Sequence, residues 1–591
     1  NRTNELFKKV KVSIFESALQ YQNYFIRIDS LNKNGNEIEL IEVKAKSFNK
    51  DEDNFITKKG CLNTTWKEYL EDVAFQKYVL QKAFTEYNIS SYLMLADKTA
   101  ACSVTGLNQK FKIIKDEKGH VSIKIHGAVQ PENLGSEILK KVSADNAVKL
   151  IHSANYFKEY GKTTFEELID YFQENYSHDK KIDVQVNRHC KKCSFKTTPE
   201  DEANGLKSGF KECWKKMAGF SDDDFNKPLS FDIWKLHYTR ADRLINSQKY
   251  FMAELEKTDI ADNIDDAIGE EGLQNNQRQW LQIEKVTNND NTPYIDRDYL
   301  KTQINSWEFP LHFIDFETSA IAIPFHEGRK PYEQIAFQFS HHVVHENGII
   351  EHIGEYINHK SGVFPNFEFV RALKKDLQND NGTIFRYAAH ENTILNAIYL
   401  QLYDSTEPDK DELCDWIKTI TKTAGSNKEL FENWTGERNM VDLCDIIKKG
   451  YYNPATNGSN SIKAVLPAIL NSSTLLQDKY SKPIYGTEKF ISKNFKNHLW
   501  ITRDDQGNVI NPYKTLPPVF ENLDDELLDN LLTDEDTEIN QGGAALTAYG
   551  KMQFTEMSDN ERNALTKALL KYCELDTFAM VLIWEYLVNE I

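Results

Sequence analysis

The stretch Leu311-His312-Phe313-Ile314-Asp315-Phe316-Glu317-Thr318 decides how the second half of this chain is read. It is a short apolar run that carries two carboxylates two residues apart. In a strand, residues i and i+2 point to the same face. Asp315 and Glu317 are therefore expected side by side at the end of an apolar strand. Two carboxylates that close repel each other unless a cation lies between them. Hard oxygen ligands suit magnesium or manganese. Far downstream, Tyr572-Cys573-Glu574-Leu575-Asp576 falls in a strongly periodic helical run over residues 560–590. Tyr572 and Asp576 are four residues apart and share one helix face. Asp576 is placed to close a metal site, and Tyr572 to orient a water by its hydroxyl, as two-metal phosphodiester cleavage requires.

Around that strand, the pattern is one of alternating strands and helices. A unit opens at Pro310, with apolar runs at 311–316, 334–344 and 383–387. Helices follow, then a loop-rich insertion over 479–548, then the closing helix. The segment 459–467 (Ser-Asn-Ser-Ile-Lys-Ala-Val-Leu-Pro) places a serine cap before a short helix. Such an N-terminus could hold a phosphate. Residues 330–340 read as an ordinary second strand of the sheet.

A second α/β unit stands at the start of the chain. Residues 13–19 and 24–28 read as strands, Asn34-Gly35 as a hairpin turn, and 39–45 as the returning strand. Residues 66–87 show helical spacing (Tyr69, Val73, Tyr78, Phe84). The motif here is Ile41-Glu42-Val43-Lys44, with Glu42 and Lys44 on one strand face and Asp29 closing the strand across the hairpin. An acid beside Glu-x-Lys can bind a metal and polarise a phosphate, while the lysine offsets developing charge. Glu16 is a candidate supplementary ligand. The chain opens on Asn1 and almost at once on a strand-like run, so this unit is read as lacking part of its N-terminal end.

Between the two units, residues 131–180 look helical and 228–283 look like long polar helices, followed by an Asn-rich linker near 288–291. His189-Cys190-Lys191-Lys192-Cys193 is followed by Cys213. A Cys-x-x-Cys pair sets two thiolates around one metal or cluster, and Cys213 is a third ligand. Cys102, Cys414, Cys444 and Cys573 read as core residues.

The whole chain has 591 residues, which suggests about three or four units. No stretch approaches the roughly 20 apolar residues of a membrane span, and no secretion signal is visible, so the cytoplasm and reduced thiols are expected. The net charge of −19 argues against a nucleic-acid coat protein. It is compatible with a nuclease, whose substrate contacts need only a local basic track. Part of the acidity lies in residues 521–538, read as a solvated loop.

These motifs carry resemblances. Asp315-x-Glu317 with Tyr572-x-x-x-Asp576 resembles the DEDDy branch of the DnaQ-like 3′–5′ exonucleases. That family adds a middle acid, matched here by Glu391 in Tyr387-Ala388-Ala389-His390-Glu391-Asn392, where the family usually has aspartate; Asp442 is the reserve candidate. Asp29 with Glu42-x-Lys44 resembles the PD-(D/E)XK nucleases. Gln76 is similar to the extra glutamine of RecB-type members, although Leu80 stands where those carry tyrosine. RecB-type nucleases with a [4Fe–4S] cluster place one cysteine before the core and three after it. The three after it match Cys190, Cys193 and Cys213. The first would precede Asn1, or be replaced by Cys61, or the site would be a Zn2+ site completed by His189.

The whole resembles a bacterial family joining a RecB-like nuclease, a cysteine cluster and a DnaQ-like domain. The resemblance implies an α/β multidomain protein: a PD-(D/E)XK core (1–125), a helical and cysteine-cluster region (126–225), a helical connector (226–305) and an RNase H-like, DnaQ-type mixed-sheet exonuclease domain (306–591). It further implies a phosphodiesterase that uses Mg2+ or Mn2+ on DNA, single-stranded or at duplex ends, in DNA repair or defence against foreign DNA. RNA as the substrate, or a non-catalytic nucleic-acid-binding scaffold, are the alternatives.

Overall fold

Alternating runs near the start of the chain build the first sheet. In the computed structural model, which describes residues 2–49, 51, 53–115, 121–153, 161, 164–423, 433–516 and 543–591, strands β1 (Lys11–Tyr21), β2 (Tyr24–Asn34) and β3 (Glu37–Phe48) pair as successive antiparallel hairpins. Gly35, at φ +60°, lets the β2–β3 turn close in two residues. The helix Lys67–Ala83 buries Leu70, Val73, Ala74, Val79 and Leu80, a stripe at helical spacing that lays it on the sheet. The chain then returns as β4 (Asn88–Asp97), parallel to β3. The expected order of three strands, helix and strand is present, and the strands are longer than their apolar runs.

Residues beyond this core depart from the sequence reading. A separate hairpin, β5 (Phe111–Lys115) with β6 (Val121–Ile125), leaves the sheet. Within the span read as helical, β7 (Leu139–Ser143) is a strand. It pairs antiparallel with β4 and completes the order β1-β2-β3-β4-β7. Five residues carry too little helical periodicity to resist an open sheet edge. Lys141 on that edge reaches Glu39 of β3 at 2.7 Å. The helices Asp145–His152 and Phe165–Ser177 do form, the second from a Thr164/Glu167 capping box. Both pack on the first core through Ile151, Leu168 and Ile169, so this unit extends past the expected boundary at 125.

Instead of long polar helices, 228–283 contains two helices, Tyr238–Asn246 and Asn275–Thr287, joined by short helical turns. Its apolar residues are too scattered for one continuous stripe. They close a small local core of Ile233, Leu244, Met252, Ile260 and Ile283.

The strand β8 (Tyr294–Ile295) precedes the second large sheet. There, β9 (Leu311–Ala320), β10 (Gln334–Val344) and β11 (Ile350–Ile357) are consecutive antiparallel strands. Strand β12 (Ile384–Arg386) lies parallel to β9, and β13 (Val441–Asp442) parallel to β12. Strand β14 (Tyr451–Tyr452) pairs with β8, and β15 (Phe490–Ile491) runs beside β11. The order is β13-β12-β9-β10-β11-β15. Strand β9 is apolar on both faces because both are covered. Phe313 joins the core around the final helix, Asp559–Glu590, while Ile314 and Phe316 join the core around the helix Asn366–Leu377. Because β9 continues to Ala320, Asp315 and Glu317 lie in mid-strand rather than at its end. The polar residues after Glu317 gave no strand signal.

Of the expected loop-rich insertion, Gly543–Phe554 is a helix packed against Phe325 and Phe337. The acidic stretch 521–538 lies outside the described residues. The chain is thus mixed α/β with several mixed sheets and more than one core. Among the described residues, no helix is long and apolar enough to cross a membrane. The sheets meet through loops: Cys102 exchanges backbone bonds with Gly328 and Arg329, and Tyr332 donates to the Ala45 carbonyl of β3 at 2.8 Å.

Candidate active site

Strand alternation turns Asp315 and Glu317 to one side of β9, and the final helix crosses that side. Cys573 Sγ lies 3.7 Å from Asp315 Oδ2. Ligand atoms of Asp315, Glu317 and Cys573 all lie within 4.8 Å of one another. Asp576 and Tyr572 follow on the same helix. Glu391 enters from the first turn of the helix His390–Tyr403, just after β12. All five predicted residues line one cavity of about 380 Å³.

The turn between β12 and that helix explains which middle acid reaches the cavity. Ala388 sits at φ +72°, and its N–H donates to Asp442 Oδ1 at 3.0 Å. Arg386 Nη1 donates to Asp442 Oδ2 at 3.1 Å, and Asp442 also caps the helix Leu443–Gly450 through the Asp445 N–H. Asp442, the reserve candidate, therefore holds the turn. Glu391 lines the cavity, with Oε2 buried and without a hydrogen-bond partner.

Four acids in one dehydrated space raise each other's proton affinity. Burial first, then repulsion from Asp576, Glu391 and Glu317, pushes the Asp315 carboxyl well above its ordinary range. Glu317 is raised well above its range by burial and then by Asp576, with Lys463 pulling the other way. Burial lifts Glu391 to about 8. Asp576 is lifted to about 6 by burial, against a hydrogen bond from the Tyr513 hydroxyl and the charge of Lys463. Tyr572 is raised by burial and by Asp576, so its phenol stays protonated. His390 is pulled down to about 4 by burial and contacts Thr318 Oγ1 at 3.0 Å. The paired Asp315 and Glu317 carboxylates, with mutual repulsion and an unpartnered Glu391 oxygen nearby, fit hard divalent cations, with the neutral Cys573 thiol beside them.

Several residues at or beside the cavity were missed or underread. Cys573 is buried in the core, as expected, and lies against Asp315 from inside the quoted Tyr-x-x-x-Asp turn. Lys463 belongs to the serine-capped segment whose helix, Ile462–Ser472, begins at the cavity. Its Nζ lies 5.1 Å from the Tyr572 ring centre. Tyr513 and Trp234 come from distant segments and had no local signal.

At the N-terminal site, Lys44 Nζ reaches Glu42 Oε1 at 2.8 Å and Asp72 Oδ2 at 3.0 Å. Gln76 Nε2 reaches Glu42 Oε2 at 2.8 Å and Asp72 Oδ1 at 3.1 Å. Glu42, Lys44 and Gln76 are thus brought together, with Asp72 as a member the sequence did not suggest. Asp29 has another partner: its Oδ2 accepts the Val43 N–H at 2.7 Å. Burial raises Glu42, although the bonds from Lys44 and Gln76 oppose it. Burial would lower Lys44, yet its bonds to Glu42 and Asp72 prevail and raise it. Leu80 is fully buried in the core, and Glu16 pairs with Arg27 at 2.9 Å at an exposed position.

Cys190, Cys193 and Cys213 lie partly buried around Trp214. Burial raises the Cys190 thiol, the Asn187 N–H opposes this, and Cys193 adds to it. Among the described residues, no three of His189, Cys190, Cys193 and Cys213 bring ligand atoms within 4.8 Å of one another. Tetrahedral zinc would hold sulfurs roughly 3.8 Å apart, from Zn–S bonds of about 2.3 Å. Cys61 is exposed on a turn tied to Thr57. Cys102, Cys414 and Cys444 are buried, as expected.

Residues 312–461 match the model of a domain of unknown function (DUF2779). This stretch holds Asp315, Glu317 and Glu391 and ends at Ser461, before Tyr572 and Asp576. No curated protein and no solved structure matches the chain.

Proposed function

We propose that the C-terminal unit is a metal-dependent 3′–5′ exonuclease of the DEDDy type. The observation that carries this is the shared cavity. Five residues picked from three separate sequence segments line it together, and their acids are held at raised proton affinity. The mixed sheet, with β9 inside it, β10 antiparallel to β9, β11 antiparallel to β10, and β12 parallel to β9 on its other side, supports the RNase H-like reading.

In this reading Asp315, Glu317, Glu391 and Asp576 hold Mg2+ or Mn2+. The bound ions supply Lewis-acid polarisation of the phosphate and an activated water. Tyr572, kept as a neutral phenol, orients that water. Lys463, at the start of its helix, offsets charge on the phosphate oxygens.

The N-terminal unit is proposed as a second, RecB-like nuclease of the PD-(D/E)XK class, with Glu42, Lys44 and Gln76 in its site and Asp29 at its edge. Its three hairpin strands, crossover helix and parallel strand support that fold. A non-catalytic, nucleic-acid-binding role is the second reading for this unit, favoured by Glu42 having both oxygens engaged. The cysteines would carry a [4Fe–4S] cluster, with Zn2+ as the alternative, on the resemblance of their spacing to cluster-bearing RecB-type nucleases. Iron content and broad visible absorption test this; stoichiometric zinc without iron contradicts it.

The functional test assays end-labelled single- and double-stranded DNA and RNA with magnesium, manganese or EDTA. Wild type is compared with Asp315→Ala and with the Glu42→Ala/Lys44→Ala pair. Metal-dependent shortening of DNA, abolished by Asp315→Ala, is expected. Absence of metal-dependent cleavage on every substrate would overturn the enzyme reading, and preferred cleavage of RNA would move the substrate.

A further inference from the structure

Of the described residues lining the exonuclease cavity, only Trp234 comes from outside the C-terminal unit. It belongs to the connector, and its place is fixed from both sides. Its N–H donates to Gln282 Oε1 at 2.9 Å, and its carbonyl accepts from Gln279 Nε2 at 3.0 Å. Both glutamines are buried on the helix Asn275–Thr287. Arg278 of the same helix sets its guanidinium 5.5 Å from the indole centre and 5.2 Å from that of Tyr452. Arg278 also donates to the Tyr451 carbonyl at 2.6 Å and the Lys448 carbonyl at 3.0 Å, which ties the connector to the C-terminal unit. The Trp234 backbone is thus anchored, and the residue remains partly exposed at the cavity.

We propose that Trp234 is a base-stacking platform for the substrate strand, so that the connector completes the exonuclease pocket; this rests on the nuclease reading above. A site that gripped only a phosphodiester would need charge, and the carboxylate, Lys448 and Lys463 side of the cavity provides it. A rigid indole adds nothing to phosphate binding. It does bind the flat face of a nucleobase, and aromatics set among lysines are how single-stranded nucleic acid is held without regard to sequence. Lys235, the next residue, places its ammonium over the indole, 5.8 Å from its centre, and this exposed side chain must swing aside toward the phosphates for a base to stack there. The ligand class is the unpaired 3′ end of a nucleic-acid strand.

The test uses the full chain and two 5′-fluorescein oligothymidylates, one natural and one whose 3′-terminal nucleotides are abasic. Cleavage is followed in Mn2+, and binding by anisotropy in Ca2+. Trp234→Ala should raise KM and Kd on the natural strand by roughly tenfold or more with little change in kcat, as loss of one stacked base predicts. Trp234→Phe should restore most of this. On the abasic strand, wild type and Trp234→Ala should behave alike. An equal defect on both strands, or no defect on either, overturns the proposal while leaving the nuclease intact. If wild type binds the natural strand through Trp234 but cleaves nothing, the nuclease reading falls and the platform stands. If wild type neither binds nor cleaves, both fall.

Discussion

The C-terminal and N-terminal sites start from similar sequence: a strand with two charged residues at i and i+2, and a partner on a helix. At the C-terminal site both strand residues are acids. They meet two more acids in the cavity, repel one another, and leave one Glu391 oxygen without a partner. At the N-terminal site the second strand residue is Lys44. It neutralises Glu42 directly, while Gln76 takes the other Glu42 oxygen and Asp29 caps a backbone N–H. One site carries an electrostatic strain that a divalent cation relieves; the other has relieved its own. A carboxylate pattern is therefore informative about metal binding only once the nearest cation of the chain itself is known.

The largest expected effect tests the strained site. Asp315→Asn should lower 3′–5′ DNA hydrolysis on the order of a thousandfold, the scale of several kcal/mol of lost transition-state stabilisation. Glu42→Gln should leave that activity unchanged. An equal loss in both variants would mean that the two sites work as one. Next, Glu391→Gln should reduce the same activity by roughly a hundredfold, while Asp442→Asn should act mainly on stability because it loosens the turn at Ala388. The reverse ranking would exchange their roles.

The self-neutralised site predicts a stability effect. Lys44→Met strips Glu42 of its ion pair, and Glu42 is buried while Lys44 is partly exposed. The cost should be about 1–2 kcal/mol in chemical denaturation, below that of a fully buried pair. It should be greater at pH 8 than at pH 5, because a protonated Glu42 needs no cation. An equal cost at both pH values would show that Glu42 does not change its protonation between them.

The smallest effect concerns pH. Glu391 at about 8 and Asp576 at about 6 stand above their ordinary values of 4.5 and 3.8. The folded chain keeps protons there that the unfolded chain has released. Metal-free stability should therefore fall as pH rises from about 4 to about 8. Manganese should flatten this slope, and its stabilisation should grow with pH. A metal-free Tm that rises over the same range would contradict these raised proton affinities.

What was legible in the sequence was what local geometry fixes. Strand alternation placed Asp315 beside Glu317, and helix periodicity placed Tyr572 above Asp576. Glu391 came only from family resemblance. Its advantage over Asp442 depends on the left-handed turn at Ala388, which no periodicity encodes. The backbone bond of Asp29 was not legible: β2–β3 pairing ends at Ser30–Ile41, and the Val43 N–H beyond it donates to the Asp29 carboxylate. Trp234 reaches the cavity, and Tyr513 reaches Asp576, from far along the chain, so only tertiary packing could reveal them. Edge pairing likewise overrode the helical look of residues 139–143.

The most direct test of the contrast is one gel. A 5′-labelled single-stranded DNA is incubated with manganese and wild type, Asp315→Asn, or Glu42→Gln/Lys44→Met. The account predicts a ladder shortened from the 3′ end with wild type and with the N-terminal double variant, and an intact strand at that end with Asp315→Asn. An undiminished 3′ ladder with Asp315→Asn would contradict it.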